Sequence, residues 1–203
     1  MDKKPTSRDI KNLQTRQLIL NTANRLFQEQ RYENVTINDI CRESGVSVGS
    51  FYHHFSSKEQ LVELYYQDFD RYLAEYVESF RRMNALEALG ALVSREMDYL
   101  ETNTTYPTQI CIMQLSAGGS YVSDSGRVYY NCMDMIARKL LDEKVVHHIS
   151  HTELKATLIR CIRGVVYDWC LHRGAYNLKT QALRDIRLVI AGLRSTAVRD
   201  DPS

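Results

Sequence analysis

Apolar side chains recur every three or four residues along most of the chain, which is the spacing of an α-helix with one buried face. The first such segment spans residues 15–30 and buries Ile19, Leu20, Ala23, Leu26 and Phe27. Only 9 Gly and 3 Pro occur in 203 residues, too few for the many turns of an all-β protein. The pattern predicts an all-α protein of about nine helices.

Two short helices joined by a tight turn are predicted after the first segment. Thr36 stands at an N-cap position with Asp39 at the capping-box position, although Asp replaces the usual Glu. Gly45 interrupts the pattern where a left-handed turn residue is expected, and Ser47 can cap a second helix that runs to about His54. The spacing is that of a helix-turn-helix. The side chains expected to point inward are Ile37, Ile40, Cys41, Phe51 and Phe55.

Longer helices follow. The apolar pattern continues from residue 59 to residue 80 without a helix breaker, so we expect one long connecting helix. It joins a small three-helix domain, 1–58, to a larger helical bundle, 59–203. Further helices are predicted at 84–103, 108–117, 121–143, 152–173 and 180–196, with a loop at 117–120.

Charge and cysteine content narrow the class of protein. Net charge is +1, but residues 1–58 hold nine Lys/Arg and six Asp/Glu, a local charge of +3. No apolar run can cross a bilayer and the start is too polar for a signal peptide. We therefore expect a cytoplasmic protein without a membrane partner. The five cysteines, which include no CxxC pair, are expected to be small buried side chains. The N-terminus is basic and could be either an arm that lies beside DNA phosphates or a solvated tail. Its basic residues are Lys3, Lys4, Arg8 and Lys11.

The outward face of the second short helix carries side chains that suit a DNA groove: Val48, Gly49, Ser50, Tyr52, His53 and His54. Small side chains permit close approach, a hydroxyl can bond to a base edge or a phosphate, and valine methyls can pack on thymine.

The run VTINDICRESGVSVGSFYHHFSSKEQL closely resembles the DNA-binding segment of TetR-family repressors. The matching positions are Thr36, Ile40, Gly45, Val46, Ser47, Gly49, Phe51, Tyr52, His54, Phe55, Lys58 and Leu61. The resemblance implies a repressor that binds a palindromic operator in double-stranded DNA as a homodimer. It also implies release when a small organic inducer binds the C-terminal domain.

Roles for single residues follow from the same resemblance. The positions that hold the sugar-phosphate backbone are Thr36, Tyr52, His54 and Lys58. The groove-facing positions are Asn38, Ser47, Val48, Gly49, Ser50 and His53. Val48 departs from the family, where a cation or an amide is frequent, because valine cannot donate a hydrogen bond to guanine. Direct readout is therefore expected to rest on Asn38, Ser50 and His53.

The resemblance also implies pairing of subunits through the two C-terminal helices. Their apolar stripes fit such an interface or an ordinary intramolecular core: Leu154, Leu158, Cys161, Ile162, Val165, Leu183, Ile186, Ile190 and Leu193. Gly164 and Gly192 lie within these helices, where glycine is costly unless another helix approaches closely. The candidate inducer-binding residues, which fit a pocket or a core, are Tyr99, Cys111, Met113, Tyr129, Met133 and Trp169.

Other interpretations remain open. The sequence has no phosphate-binding glycine loop, no nucleophile elbow and no paired carboxylates in a defined setting. We therefore expect that the protein is not an enzyme and has neither catalytic residues nor a cofactor. His147 and His151 have a spacing compatible with a metal, although solvated helix ends explain them better. An architectural or cell-division factor of the same fold without a ligand is the alternative function. A thiol sensor is a third possibility, but Cys161 and Cys170 lie too far apart on one helix to bond within a subunit.

Overall fold

A computed structural model describes residues 6–30, 32–103 and 126–195, and every regular element in these ranges is helical. The all-α prediction is therefore confirmed. No helix in the described ranges is long and apolar enough to span a membrane. The helices are α1 (Ser7–Glu29), a 3₁₀ turn (Tyr32–Asn34), α2 (Ile37–Ser44), α3 (Val48–His54), α4 (Glu59–Ala74), α5 (Val77–Arg82), α6 (Ala85–Asn103), α7 (Val128–Asp142), α8 (His151–Leu171) and α9 (Leu178–Ser195).

Helix α1 begins eight residues earlier than the apolar pattern predicts. Thr6 caps it: its hydroxyl accepts a hydrogen bond from the Asp9 N–H at 3.2 Å and donates to the Asp9 carboxylate at 2.7 Å. Such a capping box starts a helix without any buried face. Arg8 and Lys11 therefore lie on exposed helix turns, whereas Lys3 and Lys4 are outside the described residues.

The described residues up to Tyr66 form one compact unit. The predicted inward side chains of α2 and α3 are confirmed, because Ile40, Phe51 and Phe55 are at most 1% exposed. Gly45 ends α2 with φ of 70°, the left-handed conformation that glycine adopts without steric cost. The sequence therefore specifies both the core of this unit and the turn between its two short helices.

Residues 67–103 and 126–195 form a second compact unit. Within it α6 packs against α7 and α9, α7 against α8, and α8 against α9. Its most enclosed side chains are Leu89, Leu92, Met97, Met133, Ile136 and Leu140. The predicted division into domains 1–58 and 59–203 stays a prediction. The predicted helix 108–117 and loop 117–120 lie outside the described residues.

The single helix predicted over 59–80 is wrong, since α4 ends at Ala74 and α5 begins three residues later. Neither Gly nor Pro marks the break. Instead, side chains bond to the backbone around α5. The Ser79 hydroxyl donates to the Tyr76 carbonyl at 2.7 Å, and Lys139 of α7 donates to carbonyls at the C-terminal end of α5. At the break itself the Tyr76 N–H donates to the Leu73 carbonyl three residues back, at 2.9 Å, which tightens the last turn of α4.

Candidate functional site

The side of α3 that the sequence predicts to face a DNA groove is mostly exposed. Val48 is 41% and Tyr52 53% exposed, and Gly49 and His53 also face solvent. A methyl group added at Gly49 would meet only the Ser47 hydroxyl, at 4.0 Å. Packing within the part of the chain that the structure describes therefore does not require glycine at this position. The small residue leaves room on the outer surface, which suits close approach by another molecule.

Two hydroxyls that the family resemblance assigns to DNA contacts also cap the helices that carry them. Thr36 accepts from the Asp39 N–H at 3.1 Å and donates to the Asp39 carboxylate at 2.6 Å. Ser47 accepts from the Ser50 N–H at 3.1 Å, and a hydroxyl acceptor keeps its own proton for a second bond. Asn38 is exposed on α2, and Ser50 is half-buried on α3. The two caps fix where both helices begin.

Lys58 makes contacts that hold the chain before α2. Its ammonium group donates to the carbonyls of Tyr32 and Val35, each at 2.8 Å, and lies 3.8 Å from the centroid of the Tyr32 ring. The Tyr32 hydroxyl donates in turn to Glu59 at 3.3 Å. Lys58 thus joins the α1–α2 link to the start of α4, a structural role that the sequence did not indicate. Its phosphate contact stays a prediction.

His54 is half-buried behind the exposed face of α3. Burial, the neighbouring His53 and the charge of Arg16 together hold the pKa of His54 below its ordinary value of 6.5. The imidazole is therefore neutral at physiological pH. It can form a hydrogen bond to a backbone phosphate without adding charge.

Tyr99 and Tyr129, two of the candidate inducer-binding residues, meet in one aromatic cluster. We define this cluster as Phe69, Tyr72, Tyr99 and Tyr129. The Phe69 ring lies 5.0 Å from the ring of Tyr99 and 5.9 Å from that of Tyr129, and the rings of Tyr72 and Tyr99 are 5.1 Å apart. These distances are those of favourable aromatic pairs. The structure therefore brings together two residues that are thirty positions apart in the sequence.

The other candidate inducer-binding residues are placed differently. Met133 is fully buried on α7, one turn after Tyr129. Trp169 is buried on α8, and its indole N–H donates to the Tyr176 carbonyl at 3.1 Å. Cys111 and Met113 lie outside the described residues. Their roles stay predictions.

A buried ion pair lies beside the aromatic cluster. Arg127 donates to the Asp70 carboxylate at 2.9 Å and 3.4 Å, and their side chains are 4% and 9% exposed. Asp70 also accepts from the Tyr129 N–H at 3.2 Å. Because Arg127 stands at the N-cap of α7 without a side-chain cap, this carboxylate from α4 performs the capping function.

Glu96 on α6 completes the polar part of this region. The Tyr129 hydroxyl donates a hydrogen bond to its carboxyl group. The residue keeps some exposure, but its Oε2 atom is buried and has no hydrogen-bond partner among the described residues. Burial raises the pKa of Glu96 to about 8, against the smaller opposing effects of the Tyr129 hydrogen bond and the Arg163 and Arg127 charges.

The sequence reasoning missed Asp70, Glu96 and Arg127. A signal for Glu96 was present, because it follows Leu89 and Leu92 at positions of the buried stripe of α6. A charged residue at an apolar position of a helix indicates a buried polar group with a role. No comparable local pattern marks Arg127, which lies outside any helix.

The apolar stripes of the two C-terminal helices belong mainly to the intramolecular core. The most enclosed members, each at most 7% exposed, are Leu154, Leu158, Ile162, Val165, Ile186 and Ile190. For these residues the interpretation as an interface is wrong, because they pack against other helices of the same unit. The outer sides of α8 and α9 remain exposed, with Tyr167 at 44%, Leu171 at 57% and Leu188 at 63%.

The histidine and cysteine alternatives gain no support. His147 precedes the first residue of α8, His151, so the two do not share a helix. Within 6–30, 32–103 and 126–195, no group of three His, Cys, Asp or Glu could hold a metal ion. Burial raises the pKa of the Cys161 thiol, and raises that of Cys170 to about 12. Both shifts disfavour the thiolate that redox chemistry requires.

Comparison with known proteins connects this arrangement to a family. Residues 19–65 match the family model described as bacterial regulatory proteins, tetR family. The HTH-type transcriptional regulator UidR of Escherichia coli is 40% identical over 187 residues, which cover 88% of this chain and 92% of UidR. The HTH-type transcriptional repressor KstR2 of Rhodococcus jostii is 25% identical over 87% of this chain and 90% of its own.

A solved structure extends the likeness to the fold. The transcriptional regulator FadR from Bacillus subtilis, in complex with stearoyl-CoA, superposes with a TM-score of 0.72 at 18% identity. The match covers 87% of this chain and 98% of FadR. The chain belongs to the TetR family of helix-turn-helix transcriptional regulators.

Proposed function

We propose that the protein is a ligand-responsive repressor that binds a palindromic operator as a homodimer and is released by a small organic molecule. The observation that carries the DNA-binding part is the open face of α3, where packing among the described residues does not explain Gly49. A small residue on a recognition helix lets its backbone approach the major groove closely. The similarity to the transcriptional repressor KstR2 supports repression rather than activation of transcription.

Contacts on this face would divide into two kinds. Tyr52, His54 and Lys58, with the capping hydroxyl of Thr36, would hold the sugar-phosphate backbone and set the register on DNA. Base edges would be read by Asn38, Ser47, Ser50 and His53, with Val48 packing on a thymine methyl and Gly49 permitting close approach.

The variant Gly49→Met tests the interface. We expect operator affinity to fall by about a hundredfold or more, because the new side chain occupies the space that DNA would take. The free energy of unfolding should hold or rise by about 0.5 to 1 kcal/mol, since a helical glycine is replaced. Genome-wide binding mapping would supply the operator, and fluorescence anisotropy on that duplex and on a scrambled one would give both affinities.

Gly90→Met is the matched control, because Gly90 is also helical and an added side-chain carbon would meet none of the described atoms within 4 Å. Its operator affinity should stay within about twofold of the parent protein. Equal affinities of the two variants would refute the placement of Gly49 at the DNA surface.

The homodimer is proposed to form on the outer stripe of α8 and α9, which we define as Gly164, Tyr167 and Leu171 with Leu188 and Gly192. Each helix repeats these positions at three- or four-residue spacing. An added carbon at Gly164 or Gly192 would meet no atom of residues 6–30, 32–103 or 126–195 within 4 Å. Close approach of a second copy would explain glycine there. A groove of about 640 Å³ between α8 and α9, lined in part by Gly164 and Leu188, offers further room for side chains of a partner.

Leu188→Glu tests this interface. The side chain is 63% exposed in one protomer, so we expect folding to be unaffected. Burying an unpaired carboxylate between two copies is costly, so the dimer should dissociate to monomers in sedimentation experiments at micromolar concentration. Leu86→Glu on α6, also exposed at 41%, should remain dimeric. If both variants sediment as dimers, the interface lies elsewhere.

The ligand response rests on the aromatic cluster and Glu96, which combine flat apolar walls with polar groups as ligand sites do. Helix α4 begins in the first unit and ends in the second. A ligand that favours one packing of the second unit would then act through α4 on operator affinity, by its differential binding to two states.

A further inference from the structure

Glu96 presents a polar atom that the fold does not satisfy. Its Oε2 is buried and unbonded among the described residues, although the carboxyl group has a hydrogen bond with Tyr129. An unsatisfied buried polar atom costs about 1 to 3 kcal/mol. Native proteins rarely keep one, and a kept one points to a function.

The two buried charges near Glu96 neutralise each other without it. Asp70 on α4 and Arg127 before α7 neutralise each other in the buried ion pair. Arg163 on α8 is exposed and donates to the Tyr130 hydroxyl at 2.5 Å. An ionised Glu96 would add one buried negative charge, which explains why burial raises its pKa to about 8. At neutral pH the group is therefore mainly a neutral acid that can donate as well as accept.

We infer that Glu96, as a neutral acid, is the polar anchor of the inducer site and donates a hydrogen bond from Oε2 to an oxygen of an uncharged organic ligand. This inference rests on the proposed ligand response. The ligand class is a neutral molecule with a hydroxyl or carbonyl oxygen and a flat apolar body. Phe69, Tyr99 and Tyr129 supply the rings against which that body packs.

Charged ligands fit this site less well. A carboxylate would enter a region where Asp70 already neutralises Arg127. The other nearby cation, Arg163, is exposed to solvent, so the carboxylate would be a buried charge facing a solvent-screened partner. A cation would bind only the ionised form of Glu96 and would have to displace its proton first. Binding of an uncharged acceptor neither buries an unpaired charge nor requires Glu96 to lose its proton.

Three probes test whether the site prefers an uncharged ligand. Each has one aromatic ring, and their head groups are neutral in benzyl alcohol, anionic in benzoate and cationic in benzylammonium. Their binding to the full-length protein would be followed by saturation-transfer NMR titration, without DNA. The variants are Glu96→Gln, which keeps a neutral donor, and Glu96→Leu, which removes it. Glu101→Gln, exposed on the same helix, is the control, and thermal unfolding checks that each variant is folded.

We expect benzyl alcohol to bind most tightly to the parent protein. Glu96→Gln should bind it within about threefold, whereas Glu96→Leu should bind about tenfold more weakly, the value of one good hydrogen bond. Between about pH 7 and about pH 9 the affinity of the parent should fall about tenfold as Glu96 ionises, while that of Glu96→Gln stays constant.

Three results would overturn the inference: no binding of benzyl alcohol, equal affinities of Glu96→Leu and the parent, or tighter binding of a charged probe that depends on Glu96. If Glu96→Leu does not fold, the pH profile and Glu96→Gln still decide. Operator binding is measured separately by anisotropy. Loss of the proposed repressor function would appear there and would leave the probe titrations unchanged.

Discussion

Asp70→Asn should destabilise the protein by about 3 to 5 kcal/mol, the effect of removing one partner from a buried ion pair. The substitution preserves shape but removes the charge that Arg127 needs, and the Arg127 side chain is only 4% exposed. It also weakens the cap that the Asp70 carboxylate provides for α7 through the Tyr129 N–H. Chemical denaturation followed by circular dichroism would measure the change in the free energy of unfolding.

Asp68→Asn provides the control within the same helix. Asp68 pairs with Arg71, but their side chains are 52% and 78% exposed, so its loss should cost no more than about 1 kcal/mol. Similar values for the two variants would mean that the Asp70–Arg127 pair contributes no more than a surface pair.

Glu96→Gln should change how stability depends on pH. The pKa of Glu96 is about 8 in the folded protein, against its ordinary value of 4.5. Between these values the folded state holds a proton that the unfolded state has lost, so the free energy of unfolding falls as pH rises through this window. Each pH unit costs about 1.4 kcal/mol, and the total reaches about 4 to 5 kcal/mol at most.

Glutamine does not titrate, so the variant lacks this loss. We expect the two proteins to be similarly stable near pH 4.5 and Glu96→Gln to be several kcal/mol more stable near pH 8. Denaturation curves at a series of pH values test this difference. The contribution of His54 is common to both proteins and cancels. Parallel stability profiles would show that Glu96 keeps an ordinary pKa.

The helix-turn-helix could be predicted almost residue by residue because local chemistry specifies it. The caps at Thr36 and Ser47 and the left-handed Gly45 are short-range features, and the inward Phe51 and Phe55 follow helical periodicity. A cap also explains the one error at the start, where Thr6 extends α1 beyond its apolar pattern. The DNA contacts themselves depend on a partner and stay predictions.

The second unit could be predicted only in outline. Lys139 of α7 bonds to the Arg81 carbonyl across 58 positions, and the ion pair of Arg127 with Asp70 joins residues 57 positions apart. Such pairings arise from tertiary packing and leave no local signature. The apolar stripes of α8 and α9 showed the same limit, because periodicity identifies a buried face but not whether the same chain covers it.

The charges within residues 36–58 determine how many counterions this segment would displace from DNA. Within residues 36–58, Lys58 is engaged by two carbonyls, and Arg42 by Asp39 and Glu43. His54 is neutral at physiological pH. Because carbonyls are neutral, Lys58 keeps its positive charge, whereas that of Arg42 is offset by carboxylates. A recognition segment that brings so few net positive charges displaces few counterions from the phosphates. Its hold on DNA then comes mainly from shape and uncharged hydrogen bonds, which added salt weakens little.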